Sequence, residues 1–150
     1  MAMDALPTMT AAGEAAHPPT AARAELDRLM ARGAAFLGSR YAVMGGAMSW
    51  VSERHLVAGL SNAGAFGVIA NGAMEPDRLA EEIAGTQALT DKPFGVNLIT
   101  MHPRLDALVD ACLAAKVGHI VFAGGIPPGA AIRRAKEGGA KVVCFAPALS

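Results

Sequence analysis

Residues 41–74 read YAVMGGAMSWVSERHLVAGLSNAGAFGVIANGAM, and this stretch decides the fold. Two short apolar runs, YAVM from residue 41 and GVIA from residue 67, enclose a segment in which Leu56, Val57 and Leu60 have helical spacing. Glycine follows each run closely, as is common where a strand turns into a helix. The stretch therefore predicts a strand, a helix with Ser52 as its N-cap, and a second strand.

The same alternation continues to the end of the chain. Further apolar runs begin at residues 94 (FGVNLI), 119 (HIVFA) and 141 (KVVCFA), so the five predicted strands start 26, 27, 25 and 22 residues apart. Helical patterns separate them, one beginning at Pro76, one from about Leu105 to Lys116 and one from Ala130 to Glu137. Strands that are apolar throughout, with helices between them, are typical of a parallel sheet covered on both faces. The fold class is therefore predicted to be α/β.

The residues before the first run predict two separate segments. Residues 1–20 are rich in Ala, Thr and Pro and are expected to form a disordered tail. Residues 21–38 predict an amphipathic helix that plugs or flanks the domain, because large apolar side chains recur there near helical spacing. Residues 39–150 then form the main domain.

Composition excludes several classes of protein. The chain has 150 residues, 53% of them apolar, which is enough for one packed core. Thirteen basic side chains balance thirteen acidic ones, so neither nucleic acid nor a membrane is an expected partner. Cys112 and Cys144 form no CxxC pair and are expected to be small core residues, with no disulfide and no metal site. The first residues lack an apolar stretch after a basic start, which predicts a cytoplasmic location.

The residues that follow each predicted strand are the candidates for function, because ligands gather at the carboxyl ends of parallel strands. Four such segments, which as a group are rich in glycine and backbone-exposing residues, are residues 45–50 (GGAMSW), 71–74 (NGAM), 97–103 (NLITMHP) and 123–129 (AGGIPPG). Glycine lets a main chain approach a flat ring or a phosphate, although the same glycines could simply make tight turns. The four segments together favour a ligand site.

Familiar catalytic motifs are absent from the sequence. It contains no G-x-G-x-x-G after the first strand, no P-loop and no G-x-S-x-G. His102 is the one histidine in these segments, and no pair of carboxylates accompanies it. No catalytic residue is therefore predicted, and a bound cofactor would have to supply the reactivity.

Two architectures fit the alternation. An open, doubly wound sheet of five strands would be complete at this length, whereas an eight-stranded barrel needs about 200 residues or more. The last run, KVVCFAP, is followed by only three residues, so the pattern is interrupted and favours a partial barrel.

Residues from about 40 to 150 resemble the N-terminal part of the nitronate monooxygenase and FMN-dependent enoyl-ACP reductase superfamily. The ordered motifs YAVMGGAMSWVS, LVAGLSNAGAFGVIANGAM, LTDKPFGVNLI and AGGIPP carry the resemblance. It implies a TIM (β/α)8 barrel, of which about the first five β/α units are present, with FMN at the carboxyl face. It further implies that Gly46, Ala47 and Met48 lie against the flavin ring, that Asn97 hydrogen-bonds it and that Gly124 lines the same pocket.

The sequence also departs from the family pattern. Gly45 stands where many members have Gln. The family's AGGH segment with its catalytic His, and its phosphate loops, are expected beyond residue 150, so this chain alone is expected to bind FMN weakly and to be inactive.

The resemblance implies an FMN-dependent oxidoreductase, foremost a nitronate monooxygenase acting on alkyl nitronates. An FMN-dependent enoyl-ACP reductase, with an enoyl thioester as substrate and NAD(P)H as partner, is the alternative. A non-catalytic α/β binding module is the alternative from another class, and the sequence leaves a homo-oligomer open.

Overall fold

The computed structural model describes residues 20–145. Within this range the chain forms, in order, α1 (Ala21–Leu37), α2 (Arg54–Asn62), β1 (Val68–Ala70), α3 (Pro76–Leu89), β2 (Gly95–Ile99), α4 (Leu105–Ala114), β3 (His119–Ala123), α5 (Gly129–Glu137) and β4 (Lys141–Cys144). The predicted tail lies outside the described residues except for Thr20, which is the N-cap of α1. None of the helices in this range is long and apolar enough to cross a membrane.

The four strands form one sheet in the order β1-β2-β3-β4, and every pair is parallel. The α/β prediction is confirmed. Because all the strands run in the same direction, they all end at the same edge of the sheet, which we call the carboxyl edge. Residues from different strands that follow their strand ends are therefore neighbours in space.

The prediction of a regular strand that begins at Tyr41 is wrong. Residues 41–45 run parallel to residues 64–66, but only Met44 and Phe66 form a bridge. The backbone N–H groups of Tyr41 and Gly45 donate to residues 64 and 66, at 2.9 and 2.8 Å. Residues 63–65 form a turn and a bend directly before Phe66, so the paired stretch is too short to build a ladder. The segment still directs Gly46 and the residues after it to the carboxyl edge.

The two faces of the sheet are covered differently. Ile69, Val96 and Ile120 belong to the main core, which also includes buried side chains of α3, α4 and α5. On the opposite face, which we call the inner face, Val68 and Val121 pack with Phe66 and Leu37 in a smaller cluster. Alternate residues of each strand thus point to opposite sides, and both sides are apolar, as the continuous apolar runs predicted.

The helix starts match the sequence signals in part. Pro76 occupies the first turn of α3, where its missing N–H leaves no bond unmade. The prediction that Ser52 caps α2 is wrong. Glu53 is the N-cap, and its carboxylate accepts from the N–H groups of His55 and Leu56 at 3.0 and 3.1 Å. The Ser52 hydroxyl instead hydrogen-bonds the backbone of Gly46 and Met48.

The two cysteines have opposite environments. Cys112 lies on α4 inside the main core, where burial raises the pKa of its thiol to about 12. Cys144 is exposed, so the prediction that both are core residues is wrong for Cys144. It lies at the end of β4, an edge strand that is paired only with β3 among the described residues.

The C-terminal end of α1 is attached to the amino edge of the sheet. The Phe36 carbonyl accepts a hydrogen bond from His119 Nε2 at 2.9 Å and another from the Lys141 ammonium. Since a carbonyl can only accept, His119 carries its proton on Nε2. The His119 ring also packs edge-on against Phe36 and Phe66. Leu37 is buried while Leu26 and Leu29 are exposed, so α1 flanks the domain and is anchored at its last turn.

We expect this anchor to make stability depend on pH. Burial, reinforced by the nearby Lys141 charge, lowers the pKa of His119 below its ordinary value of 6.5. The unfolded chain therefore takes up a proton before the folded chain does, and stability should fall as the pH is lowered from above 6.5. Thermal unfolding between pH 7.5 and 5 should show this loss, and His119→Gln should reduce the slope. Equal slopes in the wild type and in His119→Gln would contradict the assignment.

Candidate functional site at the carboxyl edge

The segment that follows the bridged residues is held in place by one buried serine. Ser52 is 4% exposed, and its Oγ accepts from the Met48 N–H and donates to the Gly46 carbonyl, each at 3.0 Å. The Ser52 carbonyl in turn accepts from the N–H of Ala70 at 3.0 Å, at the end of β1. Residues 46–48 are thereby fixed to the sheet edge.

The three residues of this segment have different exposures. Ala47 packs against the inner-face cluster that includes Val68 and Val121. A Cβ added to Gly46 would have no atom within 4 Å, so the space beside this backbone is open. Met48 has more than half of its surface exposed. The segment therefore presents open backbone and a free thioether side chain above an apolar floor.

Asn97 lies in the middle of β2 and is buried, at 8% exposure. Its Cα partners are Ala70 on β1 and Val121 on β3, so its side chain is on the inner face. Its carbonyl accepts from the Asn71 N–H at 3.1 Å, but no hydrogen bond within residues 20–145 uses its side-chain amide. Asn97 and Ala47 thus share the face that contains Val121.

Gly124 is the first residue after β3 and has a φ of 85°, in the left-handed region that favours glycine. A Cβ there would lie 3.2 Å from Ile99 Cγ2, at the end of β2. The structure therefore places four of the five predicted residues, Gly46, Ala47, Met48 and Gly124, at the carboxyl edge, and Asn97 in the middle of β2. Ala47 and Asn97 are brought together on the inner face, whereas Gly46, Met48 and Gly124 lie on exposed loops.

Two further polar residues at this edge were not predicted individually. Asn71 and Thr100 directly follow β1 and β2 and are buried, and Asn71 Oδ1 and Thr100 Oγ1 have no hydrogen-bond partner within the described range. Buried polar atoms are nearly always paired, so unpaired ones need an explanation. The available signal was a polar residue placed immediately after an apolar strand. His102 is used locally, since its Nδ1 accepts from the Arg104 N–H at 3.1 Å.

A cavity of about 620 Å³ opens beside this edge, between the N-terminal ends of α2 and α3. Trp50 lies at its mouth with 93% of its surface exposed and a φ of 69°. Glu82 of α3 forms part of its wall and pairs with Arg54 of α2, with Arg54 Nη2 2.7 Å from Glu82 Oε2. Hydrogen bonds from the Arg54 side chain hold the pKa of Glu82 below its ordinary value, so this carboxylate stays charged at neutral pH.

Known proteins are similar in sequence to the part of the chain that contains these loops. The profile of the family described as nitronate monooxygenase matches residues 31–149. The chain belongs to the nitronate monooxygenase family. Among curated relatives, a probable nitronate monooxygenase of Staphylococcus saprophyticus is 37% identical over 78 residues, covering 52% of this chain and 22% of the relative. A 5-hydroxy-7a-methyl-1-oxo-octahydro-1H-indene-4-carboxyl-CoA dehydrogenase of Rhodococcus jostii is 44% identical over 62 residues, covering 41% and 18%.

Solved structures give the same result for the fold. FabK from Thermotoga maritima superposes with a TM-score of 0.72 at 40% identity, over 75% of this chain and 36% of FabK. A nitroalkane oxidase from Streptomyces ansochromogenes superposes with a TM-score of 0.64 at 23% identity, over 69% and 40% of the two chains. These neighbours are TIM-barrel enzymes, so the parallel sheet is part of a (β/α)8-type fold and not an open doubly wound sheet. The chain spans about a fifth of the length of the curated relatives that it matches.

Proposed function

We propose that this chain provides the ring-binding side of an FMN-dependent oxidoreductase of the nitronate monooxygenase type. The observation that carries the proposal is Asn97, a mostly buried residue on the same face as Ala47 and Val121. Its side-chain amide has no hydrogen-bond partner among the described residues, and its polar atoms are still accessible to a ligand. A flavin ring has flat apolar surfaces and an edge of carbonyl and N–H groups. An apolar floor beside an unused amide suits both features.

The residues present fit that group in distinct roles. Ala47 and Val121 would support the flat face of the ring, and the Asn97 amide would hydrogen-bond its polar edge. The open backbone at Gly46 would allow close approach, and Ser52 would keep residues 46–48 in position. FMN, when bound, would supply the electron transfer. The described residues of the site would bind and orient the flavin. They would not transfer protons, because no acid–base pair lies among the five proposed ring contacts.

The substrate of the whole protein would be an alkyl nitronate, which gives up an electron and, with oxygen, becomes a carbonyl compound and nitrite. A second candidate has specific support. FabK superposes better and at higher identity than the nitroalkane oxidase does, 40% against 23%, and the resemblance includes FMN-dependent enoyl-ACP reductases. Release of nitrite from a nitronate, compared with NADH oxidation in the presence of a crotonyl thioester, separates the two in a protein that spans the full length of these relatives.

The cofactor proposal can be tested on this chain by titration. We expect riboflavin and FMN to bind with dissociation constants weaker than about 1 µM and within about threefold of each other, because the proposed contacts are with the ring and not with the phosphate. Quenching of flavin fluorescence measures both constants. Asn97→Leu should weaken both by about tenfold, the value of one hydrogen bond to a buried amide.

The matched control is Asn62→Leu, which removes an exposed amide at the end of α2, near the amino edge of the sheet. It should leave both constants unchanged. A folded chain that binds neither flavin would contradict the proposal and favour a non-catalytic binding module. A Kd for FMN far below that for riboflavin would show that phosphate contacts exist and contradict the ring-only assignment.

A further inference from the structure

The cavity beside the carboxyl edge, here called the Trp50 cavity, begins next to the proposed ring site. Its wall includes Ala70 and Ile99, the last residues of β1 and β2. Ala70 is the Cα partner of Asn97, and Ile99 follows Asn97 by two residues on the same strand. Side chains alternate between the two faces of a sheet, so all three belong to the inner face. The cavity is therefore continuous with the face on which the flavin ring is proposed to lie.

The cavity provides space that the proposed ring contacts do not use. Its volume of about 620 Å³ is within the range of cavities that hold small organic ligands. None of the five residues proposed to contact flavin lines it. One molecule can thus place its reacting end on the ring and another part in the cavity.

Apolar side chains at the mouth of the cavity are exposed. Trp50 and Val51 have 93% and 50% of their surface exposed, and Met74 lines the same wall. Trp50 has a φ of 69°, in the left-handed region that is unfavourable for a bulky residue. The N–H groups of Val51 and Ser52 donate to the Met48 carbonyl at 3.1 and 2.9 Å and fix the turn around it. An apolar group that covers these side chains would remove them from water, which is favourable.

The charged side chains of the wall are already paired. Each has a partner within residues 20–145: Glu53 accepts from the N–H groups at the start of α2, Glu75 pairs with Arg104, Arg78 with Glu81, and Glu82 with Arg54. A charged group that entered the cavity would lose hydration and find no uncompensated partner among the described residues. The wall therefore suits an uncharged, apolar group.

We propose that the Trp50 cavity holds the aliphatic tail of the substrate, so that the protein prefers substrates with an extended alkyl chain over the smallest members of their class. Both candidate substrates, an alkyl nitronate and an enoyl thioester, can carry such a chain. The inference rests on the proposed function, since the reacting end of the same molecule must lie on the flavin ring. The tail packs on Trp50, Val51 and Met74.

Trp50 makes the test direct, because it is the one tryptophan of the chain. The probes are n-butanol, n-hexanol and n-octanol, which are uncharged and differ only in the length of the tail. Each should shift Trp50 emission to shorter wavelength, with a dissociation constant on the order of millimolar for n-hexanol. Affinity should rise by about threefold for each added CH₂ group, because each one buries further apolar surface.

A second probe separates apolar burial from the effect of length. Hexanediol with a hydroxyl at each end has the same number of carbons as n-hexanol, but its tail ends in a polar group. It should bind about tenfold more weakly, since that hydroxyl loses water in an apolar site. Saturating n-hexanol should leave the dissociation constant of riboflavin unchanged, because the tail and the ring must be bound together.

A pair of matched variants locates the binding site. Met74→Glu introduces a charge into the apolar wall and should weaken n-hexanol binding by about tenfold. The two hydrogen bonds that Met74 makes with Asn71 use the Met74 backbone, so the turn is retained. Met101→Glu makes the same change at an exposed position after β2 that does not line the cavity, and it should leave binding unchanged.

Several results would overturn the inference. They are equal affinity for the three alcohols, equal affinity for n-hexanol and the diol, equal loss in the two variants, or displacement of riboflavin by n-hexanol. A shift of Trp50 emission with protein concentration alone would show that a second copy covers the wall, and it would overturn the inference too. The comparisons among the probes require no variant, so they decide the question even if Met74→Glu fails to fold.

Failure of this inference can be told from failure of the proposed function. A chain that binds riboflavin but shows no dependence on alcohol length would contradict the inference alone. A chain that binds the alcohols with the expected dependence on length but binds no flavin would contradict the proposed function, and the cavity would then be an apolar site for a different ligand.

Discussion

Replacing Glu82 by alanine is expected to lower the free energy of unfolding by about 3 kcal/mol. The Glu82 side chain is 2% exposed and accepts four hydrogen bonds from Arg54, including its backbone N–H at 2.6 Å and Nη2 at 2.7 Å. These bonds join the N-terminal end of α2 to α3. Without the carboxylate, the Arg54 backbone N–H and guanidinium lose their hydrogen-bond acceptor. The free energy of unfolding is expected to fall for that reason.

Glu81→Ala is the matched control for this change. Glu81 is the preceding residue on α3, so the same gain in helix propensity applies, but its side chain is 67% exposed and pairs with Arg78 on the surface. Urea unfolding followed by circular dichroism should show a large decrease for Glu82→Ala and little change for Glu81→Ala. Similar decreases in both variants would mean that the Arg54–Glu82 pair contributes nothing specific.

The effect of Glu82 should also depend on pH. Because the folded chain holds the pKa of Glu82 below its ordinary value of 4.5, the stabilisation is fully present above that value. It is lost as the pH falls through the lower pKa of the folded state, where the carboxylate takes up a proton. The difference between the wild type and Glu82→Ala should therefore shrink below pH 4.5 and be constant above it.

The sequence predicted the repeating part of the fold well. The runs predicted to begin at residues 67, 94, 119 and 141 correspond to strands that begin at Val68, Gly95, His119 and Lys141. The first three of these runs are continuous and apolar because their strands are buried on both faces, and the residue after each of them is polar or glycine. The fourth strand, β4, is only partly buried and is followed by Phe145. A buried strand can therefore be recognised in the local sequence. The position of the carboxyl edge then follows from the parallel order of the strands.

Features that depend on contacts between distant segments could not be predicted. Arg54 and Glu82 are 28 residues apart, and nothing in either helix indicates that they meet. Ser52 looked like a helix cap because its residue type suits that position, yet its hydroxyl bridges Gly46 and Met48. Cys144 has the apolar neighbours of a core residue but lies on an edge strand. In each case the partner, and not the residue itself, decides the role.

The proposed ring site shows the same division. Asn97 stands out in an apolar run, so the sequence could identify it as a candidate. That its side chain has no partner within the described residues, and that it shares a face with Ala47, are properties of the register between strands. Asn71 was included only within its loop, because an unpaired buried oxygen cannot be recognised before the surrounding atoms are placed.

Replacing Gly67 by alanine is expected to destabilise the protein by about 3 kcal/mol, at the upper end of the usual range for overpacking. A Cβ at Gly67 would lie 2.9 Å from Val57 Cα and closer still to the Val57 carbonyl oxygen. These are backbone atoms of α2, so no side-chain rotation can relieve the contact. The helix would have to move away from the sheet next to β1, where the Gly67 carbonyl accepts from the Gly95 N–H at 2.9 Å.

The same substitution eight residues earlier in the chain should have the opposite sign. Gly59 lies inside α2, and a Cβ there would have no atom within 4 Å outside the helix's own backbone, so Gly59→Ala should raise stability by about 0.5–1 kcal/mol through helix propensity. Urea unfolding of the two variants isolates the close approach of α2 to the sheet from any general effect of removing glycine. If Gly67→Ala proved as stable as Gly59→Ala, α2 would not lie against the backbone before β1. The path that carries the chain from Ser52 to the carboxyl end of β1, on which the proposed ring contacts depend, would then be wrong.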